Sequence, residues 1–359
     1  MKAQEYIKDY AKRADVYLNK FFDKKIAEVR ELDGNADSTD LAVQMLERYK
    51  DFSKGGKKLR GTLIQLGYEL AGGNKRVILP ASVSIEIIHS FLLMHDDIMD
   101  MDSVRRGAPT MHKQFEEDHK KGISNKDSYH YGISMGIDMG DLGAYMGMEL
   151  LLVTNLPAKR KVKAASYFSR LLQRVAYGQG LDIVYENQES VTEADVMEVH
   201  LQKTSVYTIG GPIKIGALLG GMSGKKITAI EKFGEPVGVA FQLRDDELGL
   251  YSEEDKLGKP IGSDIRENKN TILKIKAIEF TKGKNKKFLQ SAYGNKKLSK
   301  RDVKRVQDIT RESGALAYSQ NLSRQLVAKG KKFIPEITRD KKFIELLNTG
   351  ADFVIERDS

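Results

Sequence analysis

The stretch Ile85-Glu86-Ile87-Ile88-His89-Ser90-Phe91-Leu92-Leu93-Met94-His95-Asp96-Asp97-Ile98-Met99-Asp100-Met101-Asp102 decides how the rest of the chain is read. A long apolar run ends abruptly in four carboxylates within seven positions. On a helix, Asp96 and Asp100 project from one face, and their charges repel each other unless a cation sits between them. Hard oxygen ligands of this kind suit Mg2+, which keeps several waters and is usually held by one or two carboxylates plus substrate phosphates. Taken alone, the string also reads as a solvated acidic helix end.

Outward from this stretch the helical period continues. Tyr6, Ile7, Tyr10, Ala11, Tyr17, Leu18, Phe21 and Phe22 recur at spacings of three and four over residues 1–31. Similar stripes run over 38–51, 57–72, 77–102, 128–153, 158–187, 192–222, 226–252, 299–329 and 338–348. Pro80, Pro109, Pro157, Pro260 and Pro335 fall near the ends of such segments. Strand-like alternation is nearly absent and no linker composition interrupts the chain, so one all-α domain over residues 1–359 is expected. Gly210-Gly211-Pro212 predicts a kink soon after Lys203-Thr204, and Pro236 is another interior proline. Residues 113–127 and 252–268 read as connections able to cover a site.

Composition excludes several classes. With 40% hydrophobic and 30% charged residues the chain can bury a large core. It has no cysteine, which removes disulfide scaffolds, zinc ribbons and thiol nucleophiles. No run approaches the roughly 18 unbroken apolar residues of a membrane span, so no integral membrane segment is expected. The charged start Met1-Lys2-Ala3-Gln4-Glu5-Tyr6 lacks the apolar core of a signal peptide, which points to the cytoplasm. A net charge of +9 invites anionic partners. The basic residues read as spread along the chain rather than gathered in one arm, which argues against nucleic acid.

A second acidic end, Phe241-Gln242-Leu243-Arg244-Asp245-Asp246-Glu247, again follows an apolar helical run. Two such ends in one all-α chain can face each other. Cations are the missing half. Gly55-Gly56-Lys57-Lys58-Leu59-Arg60 sets Lys57 and Arg60 one turn apart at a helix start, where free backbone N–H groups also favour phosphate. This is not a nucleotide P-loop, because the glycine spacing and the following Ser or Thr are missing. Arg105-Arg106 follow the first cluster, and Lys203-Thr204, Lys259 and Lys269 flank the second. Each of these alone also reads as a surface charge.

Together these residues resemble the trans-isoprenyl diphosphate synthases, the polyprenyl synthetase family. Gly-Gly-Lys-x-x-Arg at 55–60, His89, Asp-Asp-Ile-Met-Asp-x-Asp-x-x-Arg-Arg-Gly-x-Pro-Thr at 96–110, Gly140-Asp141 and Gly178-Gln179 follow the family's order. So do Lys203-Thr204, Phe-Gln-x-x-Asp-Asp at 241–246, and Gly258-Lys259 through Asp264 to Lys269. The resemblance implies the all-α isoprenoid synthase fold, antiparallel helices around a deep central cavity. It implies that Asp96, Asp97 and Asp100 from one wall and Asp245 from the other hold Mg2+. Arg105, Lys203 and Lys259 then serve an allylic diphosphate, Lys57, Arg60, His89 and Arg106 hold isopentenyl diphosphate, and Lys269 counts among the substrate-binding residues. Thr204 and Gln242 give neutral polar contacts near the cation, with Lys203 counted among the catalytic groups.

The resemblance further implies a homodimer formed through a helical face, and it assigns chain length to Phe91 and Leu92, one turn before Asp96. Otherwise Phe91 is core packing and His89 a core histidine. The pattern around Phe91 is similar to archaeal-type geranylgeranyl diphosphate synthases, with a farnesyl diphosphate synthase as the alternative. A non-catalytic regulatory subunit, a terpene cyclase and a nucleic-acid binder are the other rivals. One departure stands out: the second motif ends in Gly249 where the family commonly has Asp, leaving Glu247 as the possible substitute.

Overall fold

The computed structural model describes residues 2–32, 34–122, 127–188, 190–252 and 262–357. Most of them are helical and almost none are in strands, as expected. The chain groups into two compact units, residues 4–165 with 215–222 and, separately, residues 166–214 with those from 223 onward.

The first unit contains most of α1 (Ala3–Arg30), then α2 (Ala36–Phe52), α3 (Leu59–Leu70), α4 (Lys75–Met99), α5 (Met111–Gly122) and α6 (Ser128–Val153). Helix α4 starts where Asn74 accepts a hydrogen bond from the Arg76 N–H at 2.9 Å. Among the described residues α4 is the one helix long and apolar enough to cross a bilayer, which the count of unbroken apolar residues did not register. Its Ile78, Val83, Ile85, Ile87, Ile88 and Met94 are fully buried, as in a core helix. A row of glycines on α6 lets α4 approach. A Cβ at Gly140 would lie 2.1 Å from His95 Nε2, and one at Gly147 2.4 Å from Ile88 Cγ1. A side chain at Gly140 would displace the His95 ring, and one at Gly147 would press on Ile88 and, at 3.0 Å, on the Ser84 carbonyl of α4.

The second unit holds most of α7 (Ala158–Glu186), α8 (Glu193–Val199), a π-helical segment His200–Gly210, the start of α9 (Gly211–Leu219), and α10 (Lys225–Tyr251). It continues through α11 (Ser263–Arg266), α12 (Ile272–Phe280), α13 (Gly283–Ala292), α14 (Lys300–Glu312), α15 (Ala315–Lys331), α16 (Ile334–Ile337) and α17 (Lys341–Glu356). The irregularity expected near Lys203-Thr204 takes the form of the π segment. It closes where the Gly211 N–H donates to Val206 O, and Pro212 follows in the first turn of α9, where its missing N–H is least costly.

Two sequence expectations change, and a third is only partly covered by the described residues. Residues 111–122 are helix α5 rather than part of a covering connection. Of the 252–268 connection, residues 253–261, including Lys259, lie outside the described residues. Charge is also uneven: ten Lys and Arg against the single Asp302 fall within residues 282–305, a surplus equal to the chain's whole +9. Buried Leu289, Leu298, Val303 and Val306 break this stretch into pieces, so it never forms a continuous basic run.

Candidate active site

In the first unit, the end of α4 fixes the acidic cluster. Asp100 is the C-cap, and Met101 adopts a left-handed φ of 56°. The Asp102 N–H donates to Asp97 O at 2.9 Å and the Met101 N–H to Ile98 O at 3.2 Å, the paired bonds of a Schellman turn. Strands β1 (Val104–Arg105) and β2 (Ala108–Pro109) then form a minimal hairpin. Both central residues have positive φ, Arg106 at 53° and Gly107 at 76°, as a type I′ turn requires. The reversal carries Arg105 back to the helix end.

There Arg105 Nε donates to Asp97 Oδ1 at 2.6 Å, with Nη2 at 2.5 Å from the same oxygen. Arg105 Nη2 also lies 3.8 Å from Asp96 and 3.9 Å from Asp102. The Asp97 side chain is fully buried, whereas Asp96 keeps 26% of its exposure. Asp97, expected beside Asp96 and Asp100 as a ligand, is thus the buried counter-ion of Arg105. Asp96 and Asp100 stand one turn apart at the helix end and form an all-carboxylate donor set that suits Mg2+. Among the described residues no three His, Asp or Glu side chains are already gathered for a metal.

The cations come together beside this helix. Arg60 Nη1 donates to His89 Nε2 at 3.1 Å. Arg106 Nη1 reaches Phe52 O and Lys54 O at 3.3 and 3.4 Å, so Arg106 lies along the 52–56 backbone. Burial, followed by the nearby Arg60 charge, holds His89 neutral well below the usual histidine range. Two participants were missed in the sequence. Lys58 is buried, with Nζ bonded to Ser53 O and 3.7 Å from Asp15. Glu86 Oε1 accepts from the Gly61 N–H at 2.7 Å, occupying one N-terminal donor of α3. Lys57 is exposed, while Phe91 sets its ring edge-on to His95 at 5.6 Å. Leu92 is partly buried on the same helix.

Because His89 is neutral when folded but takes up a proton near pH 6.5 when unfolded, stability should fall as pH drops below that value. The expected slope is up to about 1.4 kcal/mol per pH unit for this one group. Urea unfolding at several pH values should show a shallower fall for His89→Gln than for the native chain.

In the second unit, the π segment presents Lys203 and Thr204. A Cβ at Gly178 would lie 2.3 Å from the Lys203 N, which explains the glycine at that point of α7. Lys203 Nζ donates to Asp182 at 2.7 Å, and Lys269 Nζ lies 3.8 Å from Asp182 and 2.5 Å from Glu186. The two lysines are therefore brought together by α7 carboxylates. The four-residue spacing of Asp182 and Glu186 was the signal available in the sequence. Gln242 Nε2 donates to Asp246 Oδ1 at 2.7 Å, and His200 Nε2 lies 3.2 Å from Asp246 Oδ2. Asp246 is thereby held within the core.

Asp245 accepts a hydrogen bond from Arg357 Nη2. Arg357 also stacks its guanidinium 3.9 Å from the Phe241 ring centroid and is pinned by Arg244, which donates to Arg357 O at 2.7 Å. No motif near Asp245 points to this C-terminal cation. Glu247 is bonded by Arg244 at 2.9 Å and by Gln320 at 2.7 Å, so it is engaged away from Asp245. A Cβ at Gly249 would lie 2.6 Å from Asp264 Oδ2. Restoring the family residue with Gly249→Asp should lower stability by roughly 1–3 kcal/mol through overpacking and like charge, with no gain in rate. Denaturant unfolding and steady-state kinetics on the purified variant check both parts.

Among the described residues, the non-glycine residues with positive φ are Lys58, Met101, Arg106 and Asn268. Each adjoins one of the sequence motifs. Backbone strain of this kind persists where surrounding structure over-determines it, and it clusters at functional sites.

Residues 43–310 match the family model described as polyprenyl synthetase. A geranylgeranyl diphosphate synthase of Sulfolobus acidocaldarius is 33% identical over 86% of this chain and 88% of its own length. A geranylfarnesyl diphosphate synthase of Natronomonas pharaonis is 31% identical over 92% of this chain and 96% of its own. Among solved structures, a geranylgeranyl pyrophosphate synthase of Corynebacterium glutamicum, complexed with isoprenyl diphosphate and magnesium, superposes with a TM-score of 0.88. It is 28% identical and covers 99% of this chain and all of that one.

Proposed function

The chain belongs to the polyprenyl synthetase family, and we propose on that premise that it condenses isopentenyl diphosphate with allylic diphosphates to make geranylgeranyl diphosphate. It is a prenyltransferase with the all-α isoprenoid synthase fold. The observation that carries the reading is the Schellman-fixed end of α4, which presents Asp96 and Asp100 while the adjoining hairpin brings Arg105 to the same place.

In the reaction the allylic C–O bond ionises, pyrophosphate leaves with the electron pair, and the isopentenyl double bond attacks the allylic cation. A proton then passes to the departed pyrophosphate, so no side chain acts as a nucleophile. Asp96, Asp100 and Asp245 would hold Mg2+, which when bound would supply neutralisation of the leaving pyrophosphate. Arg105, Lys203, Lys259 and Lys269 bind the allylic diphosphate, and Lys57, Arg60, His89 and Arg106 bind that of isopentenyl diphosphate. A neutral His89 accepts from Arg60 and so leaves the guanidinium oriented without adding charge to the cluster. Thr204 and Gln242 give neutral polar contacts. The two units act as one catalytic domain in a cytoplasmic homodimer that takes no nucleic acid.

Phe91 and Leu92 set product length. They precede Asp96 by about one helical turn, which places them roughly 6 to 7.5 Å along the axis from the diphosphate end. Phe91→Ala should shift products beyond 20 carbons, the direction in which the geranylfarnesyl relative already lies. Sizing the products made from labelled isopentenyl diphosphate checks this. A product ladder unchanged in an active Phe91→Ala enzyme would remove Phe91 from the chain-length role, and a wild-type ladder ending at 15 carbons would make the enzyme a farnesyl diphosphate synthase.

A further inference from the structure

The surplus of nine positive charges in residues 282–305 equals the net charge of the whole protein, so the remaining sequence is balanced. Nine of these ten cations are exposed, and Lys286 is partly so. The fold sorts them. On α14 the buried residues Val303, Val306, Ile309 and Thr310 lie opposite Lys300, Arg301, Lys304 and Arg305. Leu289 and Ala292 of α13 and Leu298 of the connection join the same apolar cluster, leaving Lys284, Lys287, Lys296 and Lys297 exposed. Asp308, beyond the stretch, pairs with Lys304 at 3.0 Å and Arg311 at 3.4 Å and closes the patch on that side.

We infer that this α13–α14 face docks the enzyme on an anionic phospholipid surface. Clustered Lys and Arg on a folded surface are drawn to a negative leaflet, and each adds about fivefold to affinity. Eight of the ten cations are Lys. Their compact, flexible charges suit a fluid array of headgroups, whereas planar Arg forks favour fixed phosphate geometry. The patch offers no stacking platform for bases, because Phe288 is covered by Arg305, whose Cζ lies 4.0 Å from the ring centroid. The choice of lipid over nucleic acid also rests on the reaction proposed above, whose product is a long-chain amphiphile that partitions into bilayers. Docking at the leaflet shortens its passage there.

The test is flotation of the full-length protein with phosphatidylcholine vesicles, with and without about one-third phosphatidylglycerol, at low and high salt. Binding is expected to the anionic vesicles alone and to fade at high salt. The combined Lys284→Gln, Lys287→Gln, Lys296→Gln and Lys297→Gln variant should bind roughly 100-fold more weakly or worse. A control that neutralises Lys8, Lys12, Lys20 and Lys163 should bind within a few-fold of the native chain. Turnover of detergent-dispersed substrates should be unchanged in both variants, so loss of docking is distinguishable from failure of the enzymatic reading. Equal binding by the two variants, no binding by the native chain, or retention of an RNA or DNA oligonucleotide in place of vesicles would overturn the assignment.

Discussion

Asp96→Ala is expected to slow prenyl transfer by roughly 10³-fold or more, the loss that follows when several kcal/mol of charge stabilisation on a leaving group is withdrawn. Its unfolding midpoint should barely move. The Asp96 side chain is partly exposed, and Arg105 keeps its closest bond to Asp97 whether or not Asp96 is present. Truncation therefore leaves Arg105 paired with Asp97. Asp100→Ala should behave similarly in rate, with a small extra cost because Asp100 caps α4. Titration calorimetry with Mg2+ and a non-hydrolysable diphosphate should lose its heat in both variants. Near-normal turnover in folded Asp96→Ala would remove the carboxylates from the mechanism.

Arg105→Ala is expected to be the most destabilising single change at this site, by roughly 3–5 kcal/mol, because it withdraws the Arg105 charge from the fully buried Asp97 carboxylate. Arg105→Lys keeps the charge but cannot supply both N–H groups to one oxygen, so it should fall between the two. Adding Asp97→Asn to Arg105→Ala should recover part of the loss, since the residual group is then neutral. Urea unfolding of the single and double variants measures all three. A loss below about 1 kcal/mol for Arg105→Ala would mean that the ion pair is surface-like in energy. Activity lost in Arg105→Ala reports on folding as well as on diphosphate binding, so the lysine variant is the better kinetic probe.

The acidic ends and α4 were legible because their signal is local: a 3.6-residue period that stops at a string of carboxylates. The same rule failed for α5, whose buried apolar side chains are Met111 and Phe115 among lysine, glutamate and histidine. The hairpin was hidden because its type I′ turn uses Arg106, an ordinary L residue at φ 53°, where Asn or Asp before Gly is the usual mark. A π-helix has no compositional signature, and only Gly210-Gly211-Pro212 at its exit betrayed it. Partner choice was least legible. Arg357 and Asp245 are 112 residues apart, so nothing in either's neighbourhood announces the bond that joins them. The glycines at 140 and 178 could be ordered by motif, and Gly249 stood out as a departure from one. Their reasons, close approach by His95, the Lys203 backbone and Asp264, are tertiary.

The most direct measurement is incorporation of labelled isopentenyl diphosphate by the purified protein, with dimethylallyl, geranyl or farnesyl diphosphate as acceptor, in Mg2+ and after EDTA. The account predicts Mg2+-dependent elongation of all three acceptors to a 20-carbon diphosphate and none in EDTA. A folded protein that elongates no allylic acceptor in Mg2+, or that elongates them equally well in EDTA, would contradict it.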